Sequence, residues 1–294
     1  MVNRNWKLLN GELLLLDGAT GTELNRRGLD TGLPMWSANA LTTDTGLNVL
    51  RQIHLDYLQA GADILTANTF RTHRRALASK VHAARELTMR AVATAQEAIA
   101  EFGQAAQVAG SVSPLEDCYR PDLVPPDDMC RAEHSERIQH LVDAGVDLLL
   151  IETMSSIREA VIAAKLATIT GLPTLVSFVC DGEGRILSGE PVAVAAELLL
   201  PLGVKALGVN CGPAHTLAKP LVELRRICGP DFPLIAYGNI GYADEAQGWI
   251  NTDAESPESY LHHAETWPAQ ILGGCCGTTP AHIRRLRVRS NDTT

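Results

Sequence analysis

Short apolar runs recur along the chain, each ending in a polar residue or a glycine and each followed by a longer stretch with helical spacing. The runs lie at residues 13–17, 64–68, 106–111, 147–152, 173–179, 204–210, 233–237 and 269–274. They do not alternate apolar with polar, so they predict strands buried on both faces, as in a parallel sheet. Helical spacing follows over residues 48–60, 83–102, 127–144, 155–170, 191–200, 216–228 and 257–266. In the first of these Leu50, Ile53, Leu55, Tyr57 and Leu58 gather near one face. Pro280 stands where a first helical turn tolerates proline and opens a closing helix to about Val288. Residues 18–24, rich in glycine and threonine, read as an open loop.

Eight alternations of strand and helix within 294 residues predict an α/β protein, a single closed (β/α)8 TIM barrel. An open doubly wound sheet is the alternative. The barrel is preferred because chemistry-bearing residues end the strands: Asp17, Asn68, Ser111, Glu152, Asn210 with Cys211, Asn239, and Cys275 with Cys276. A barrel gathers all of these around one mouth, whereas an open sheet spreads them along an edge. No linker divides the chain, so one domain over residues 1–294 is expected, with a frayed tail at 290–294. Residues 28–46, 114–128 and 238–256 form long βα loops at the C-terminal face, a length uncommon without a function.

Composition narrows the partners. With 25 Lys and Arg against 34 Asp and Glu the net charge is −9, which disfavours nucleic acid and anionic membranes and favours a small molecule. No apolar stretch approaches the ~20 residues that span a bilayer, and the first strand follows the start of the chain without a cleavage site, so a cytoplasmic protein is expected. The seven cysteines are odd in number and irregularly spaced. In a reducing compartment they stay thiols, and metal binding or catalysis outranks a disulfide framework.

Cys275 and Cys276 are adjacent and flanked by Gly273, Gly274 and Gly277. One pair cannot close a tetrahedral metal site, but Cys211, two strands away around a barrel, supplies a third thiol. Three protein thiolates and one open position are the pattern of a catalytic zinc site. The flanking glycines would let two consecutive side chains turn toward one ion. Three small buried cysteines, or a redox pair, account for the same residues. Cys118, Cys130, Cys180 and Cys228 match no motif. His73, in the basic stretch 69–75, and His282 read as solvated or capping residues, and the basic stretch reads as a helix surface. Trp36 is suited either to packing the first long loop or to stacking on a cation.

Five segments together resemble the homocysteine S-methyltransferase family, in order and over most of the chain. They are Asp17-Gly18-Ala19-Thr20-Gly21-Thr22-Glu23; Trp36-Ser37; Glu152-Thr153-Met154; Gly208-Val209-Asn210-Cys211; and Gly273-Gly274-Cys275-Cys276-Gly277-Thr278. The resemblance implies the barrel already argued, a Zn2+ cofactor held by Cys211, Cys275 and Cys276, and homocysteine plus a methyl donor as substrates. It implies that Asp17 and Glu152 hold the amino group of homocysteine and that backbone N–H groups of Gly18, Ala19 and Thr20 take its carboxylate. Asn210 is a further candidate donor to substrate.

The sequence departs from the family at two places. Ser113 stands where the third strand often has a glycine, and Gly238 where a proline often precedes the asparagine of the seventh strand. The chain has no room for cobalamin or folate modules and lacks the C-terminal extension of betaine-dependent relatives. It is therefore similar in size to members using S-methylmethionine or S-adenosylmethionine. Two other functions suit the same residues: methylation of another thiol or selenol such as selenocysteine, and a non-catalytic zinc- or thiol-binding barrel.

Overall fold

The eight apolar runs become one eight-stranded sheet of parallel strands. The computed structural model describes residues 13–77, 81–244, 248–251 and 256–292. In chain order the elements are β1 (Leu14–Leu15), α1 (Gly21–Arg26), α2 (Asp44–Gln59), β2 (Ile64–Ala67), α3 (Val81–Phe102), β3 (Gln107–Val112), α4 (Asp127–Ala144) and β4 (Leu148–Met154). There follow α5 (Ile157–Thr168), β5 (Thr174–Phe178), α6 (Val192–Leu199), β6 (Ala206–Pro213), α7 (Ala218–Cys228), β7 (Leu234–Asn239), β8 (Gly241–Asp244), β9 (Gly248–Asn251), α8 (Pro257–Glu265), β10 (Ile271–Gly274) and α9 (Pro280–Asp292).

The strands pair in the order β1, β10, β7, β6, β5, β4, β3, β2. A bridge between Leu16 and Ile64 joins the two ends. The Asp17 N–H donates to the Ile64 carbonyl at 3.0 Å and the Asp63 N–H to the Leu15 carbonyl at 2.8 Å. The sheet thus closes into a (β/α)8 barrel, and its parallel strands present their C-terminal ends at one mouth.

Two layers of packing account for the unbroken apolar runs. Inside the barrel Leu14, Leu16, Ile64, Leu148, Leu150, Leu175, Ile235 and Ile271 meet, with Tyr237 among them. Side chains of alternate parity point outward onto the helices, where Leu50, Ile53 and Tyr57 of α2 are fully buried. Every residue of β4 is buried, as a strand enclosed on both faces requires.

The structure differs from the expectations in four places. Residues 21–26 form a helix instead of an open loop, because tertiary packing overrides a weak local propensity. The loop after β7 carries the antiparallel hairpin β8–β9, while residues 245–247 and 252–255 of that loop lie outside the described residues. Helix α9 runs to Asp292, past the expected end near Val288 and through part of the expected frayed tail; Thr293 and Thr294 lie outside the described residues. The basic stretch 69–75 is a loop under the mouth, not a helix surface. Its His73 is buried, and its Arg75 is paired with Glu133 and Glu116.

Candidate metal centre and substrate pocket

Cys211 lies near the end of β6, where the pairing with β7 slips between Asn210 and Pro213. Its φ is +58°, a conformation that a residue with a Cβ adopts at a cost of about 1–3 kcal/mol. The slip turns the side chain into the mouth. The Asn239 side-chain amide donates to the Cys211 carbonyl at 2.7 Å and holds it there.

Cys275 and Cys276 follow β10 directly, in a turn fixed by Thr278. The Thr278 hydroxyl donates to the Cys275 carbonyl at 2.8 Å and accepts from the Ala19 N–H at 3.1 Å. One side chain therefore locks the cysteine turn to the loop after β1. Gly277 has φ +86°, and a Cβ there would overlap the Ile240 carbonyl. Gly274 lies against Thr278 and Gly273 against Leu16, so these two permit close approach and only Gly277 supplies an unusual backbone. Gly277→Ala should destabilise the fold by roughly 2 kcal/mol or more and weaken metal retention. Thermal unfolding and metal analysis of the purified variant check both.

The three sulfurs lie within 4.8 Å of one another. Hydrogen bonds from Cys275 and Cys276 hold the Cys211 thiol far below its usual range, while the other two are held well above theirs as donors to it. Three soft donors that converge on one point, with the thiolate form favoured at Cys211, fit zinc. The Tyr119 hydroxyl, from the loop after β3, lies 3.1 Å from the Cys211 sulfur.

Asp17 and Glu152 lie buried at the ends of β1 and β4. The Thr66 N–H donates to Asp17 Oδ2 at 2.8 Å. Burial raises Asp17 to about 8, and the charge of Glu152 adds to the effect. Burial raises Glu152 to about 7, against hydrogen bonds with Ser111 and Tyr237. Neither acid is ion-paired with an arginine among the described residues. Arg137 instead donates to the Ser113, Ser111, Thr69 and Phe70 carbonyls. Two carboxyls brought close by the fold, each costly to ionise alone, are suited to a single buried cation.

Asn210 holds the end of β4 in place. Its Oδ1 accepts from the Thr153 N–H at 3.0 Å and from the Ser177 hydroxyl at 2.8 Å, and its Nδ2 donates to Thr153 Oγ1 at 2.8 Å. Thr153 has φ +59° at a pairing irregularity of β4, so Asn210 fixes the strained end that carries Glu152. Near residues 18–20 the Ala19 N–H is already engaged by Thr278, and Tyr57 donates to the Ala19 carbonyl at 2.9 Å. Ser113 keeps the third loop in shape by donating to the Phe70 carbonyl at 2.7 Å. At the other departure the Gly238 N–H donates to the Tyr260 hydroxyl at 2.9 Å, which a proline could not do.

Trp36 covers Gly21 and meets Phe70 edge-on, with ring centroids 5.8 Å apart, so it packs the first loop at the rim. His282 accepts from the Thr279 N–H at 3.2 Å at the start of α9, a capping contact, but it is buried and not solvated. Tyr119 and Tyr237 are not legible as site residues, because no spacing marks a single side chain on a loop or on an inner strand face, and Thr278 stands in the segment Gly273–Thr278 without its locking role being readable there.

A (β/α)8 barrel with three convergent thiols and two buried carboxyls at its mouth defines a class: barrel proteins with a candidate trithiolate metal centre beside a cation pocket. The chain belongs to the homocysteine S-methyltransferase family, whose model matches residues 14–289. It is similar to the homocysteine S-methyltransferase of Escherichia coli (strain K12), at 32% identity over 95% of this chain and 96% of that one. Homocysteine S-methyltransferase YbgG of Bacillus subtilis (strain 168) is 31% identical over 93% of each chain. The selenocysteine Se-methyltransferase of Brassica oleracea var. italica is 27% identical over 95% of this chain and 89% of its own. The crystal structure of the metallated form of the Escherichia coli homocysteine methyltransferase MmuM superposes with a TM-score of 0.81 at 30% identity, covering 95% and 96% of the two chains.

Proposed function

We propose that this protein is a zinc-dependent homocysteine S-methyltransferase that takes a methyl group from a sulfonium donor and yields methionine. The observation that carries the reading is the meeting of Cys211, Cys275 and Cys276 beside Asp17 and Glu152 at one mouth. Cys211, Cys275 and Cys276 would hold the zinc, whose chemistry is to keep the substrate thiol deprotonated at neutral pH.

The chain's own residues do the rest. Asp17 and Glu152 take the ammonium group and fix the amino-acid end of homocysteine. The loop at residues 18–20 faces the carboxylate with its backbone, the N–H groups of Gly18 and Thr20 being the donors that Thr278 does not engage. Held at one end, the substrate presents its sulfur to the donor methyl. The new S–C bond forms as the donor's S–C bond breaks, and the departing sulfur keeps the electron pair as a neutral thioether. The mouth carries acids and thiolates, so a cationic donor such as S-methylmethionine or S-adenosylmethionine is favoured over a neutral or anionic one, with Trp36 and Phe70 as aromatic faces for it. The chain acts as one barrel domain in a reducing, cytoplasmic compartment; its seven cysteines are all free. No helix among the described residues is long and apolar enough to cross a membrane.

Methionine formation from homocysteine, measured with S-methylmethionine, S-adenosylmethionine, betaine and methylcobalamin in parallel, tests the reading. Turnover with the sulfonium donors is expected. Turnover with betaine alone would overturn the donor assignment, faster methylation of selenocysteine than of homocysteine would move the acceptor, and no product from any donor would favour a non-catalytic thiol-binding barrel.

A further inference from the structure

A chain of four side chains crosses the barrel below the mouth. Glu152 Oε2 lies 3.0 Å from the Tyr237 hydroxyl, which lies 2.8 Å from the Ser177 hydroxyl, which lies 2.8 Å from Asn210 Oδ1. All four are buried. The direction of each hydrogen bond can be worked out from the far end. The Thr153 N–H can only donate, so it fixes the Asn210 amide with Oδ1 on its side, at 3.0 Å. Asn210 Nδ2 then donates to Thr153 Oγ1, in agreement. Oδ1 is a pure acceptor, so Ser177 must donate to it. That uses the only hydrogen of Ser177, and the Ser177–Tyr237 contact is filled only if Tyr237 donates. That in turn uses the hydrogen of Tyr237. Three contacts then have two hydroxyl hydrogens between them: Tyr237 donating to a carboxylate would leave the 2.8 Å Ser177–Tyr237 pair with no hydrogen, whereas a protonated Glu152 fills all three.

We propose that Glu152 carries a proton in the substrate-free protein, donated to Tyr237 at the head of this chain, and that the ammonium group of the substrate displaces it. Tyr237 is then a positioning residue that responds to occupancy of the amino-acid pocket. When Glu152 ionises its proton leaves to solvent, and the Tyr237 O–H turns from Ser177 to the carboxylate. The proposal rests on the assignment of Glu152 to the substrate ammonium, and specifies the protonation state of that same pocket.

The surroundings agree. The groups that face Glu152 are Asp17 from β1, Ser111 from β3, Arg137 from α4, Cys211 from β6 and Tyr237 from β7. Burial, which raises the acid to about 7, outweighs the hydrogen bond from Ser111 and the charge of Arg137, and Cys211 adds to the rise; a Tyr237 that accepts from the acid no longer opposes it. A divalent ion with three thiolates still counts 2 − 3 = −1, so a loaded centre leaves that contribution with the same sign. Ser111 bonds the other carboxyl oxygen and leaves Oε2 to Tyr237.

The test is calorimetry of methionine binding to the zinc-loaded protein in buffers of different ionisation enthalpy. Methionine has no thiol to deprotonate, and its amino group is already an ammonium at pH 6. At pH 6 the wild type should release about one proton or more per methionine bound, because Asp17 shares the pocket. Ser177→Ala isolates the chain: it frees the Tyr237 hydrogen for the carboxylate, and Asn210 Oδ1, which loses the Ser177 donor, keeps the Thr153 N–H. Glu152 then ionises more readily and fewer protons should be released. Tyr237→Phe should raise KM for homocysteine roughly tenfold with kcat little changed, since the ammonium is held equally before and during transfer. Binding with no proton release at pH 6, or equal release by Ser177→Ala and wild type, would overturn the proposal while leaving the enzyme reading intact. Absence of both methionine binding and homocysteine turnover would remove the substrate assignment and the proposal together.

Discussion

Cys211→Ala, Cys275→Ala and Cys276→Ala should each lose the bound metal and lower methyl transfer to homocysteine by on the order of a thousandfold or more, about 4 kcal/mol of barrel-mouth chemistry. Two thiolates cannot close three positions of a tetrahedral site, and without the metal the substrate thiol is mostly protonated at pH 7. The three residues act as a unit, so the Cys211→Ala/Cys276→Ala double variant should be no worse than either single one. Metal analysis beside initial rates checks this. Losses that multiply in the double variant, or a single variant that keeps its metal, would show that the sulfurs do not share one ion. The folds should survive, because Cys211 is held by backbone contacts to Asn239, and Cys275 by the Thr278 hydroxyl.

Glu152→Gln should divide activity from stability. Gln is neutral, so the ammonium loses one of its two carboxylates and kcat/KM should fall by roughly a hundredfold, mainly through KM. Stability moves the other way, and the sign follows from the raised acid. Glu152 has a pKa of about 7 folded against 4.5 for an unperturbed glutamate. Between these values the folded chain holds a proton that the unfolded chain has released, so stability falls as pH rises through that window and stays lower above it. The difference, 7 − 4.5 = 2.5 pH units, corresponds to about 3 kcal/mol. Gln removes that loss, and its Nε2 can still donate to Tyr237 as a protonated acid would. Without substrate, the variant should melt about 5 °C or more above wild type at pH 8 and level with it at pH 4.5. A lower melting temperature at pH 8 would show that Glu152 is not a destabilising buried charge. Asp17, raised to about 8, has the same sign.

How much of this the sequence carries differs between frame and site. The barrel is legible because parallel strands enclosed on both faces read as unbroken apolar runs, as in residues 148–154. Helix α1 is not, because Gly21 and Thr22 at its start give it little propensity, and it forms where Trp36 packs against Gly21 and Tyr57 holds the preceding Ala19. The hairpin β8–β9 lies in a segment with no clear alternation to mark it. For the site, strand-end position points to Asp17, Glu152 and the cysteines, and the resemblance assigns their roles. What holds them is not legible. Thr278, Tyr237 and Ser177 act across |i−j| of 259, 85 and 33 residues, and only the folded distances reveal it. Asn210 is a further case: its place beside Cys211 suggests a substrate contact, and only the fold shows that its amide also braces Thr153 and Ser177.

The central claim is that Cys211, Cys275 and Cys276 hold one zinc that methyl transfer to homocysteine requires. The most direct measurement removes metal with a chelator and returns Zn2+ stepwise while methionine formation is followed. Activity should vanish in the metal-free protein and return in proportion to zinc, reaching its plateau at about one ion per chain. Full methionine formation by the metal-free protein would contradict the account.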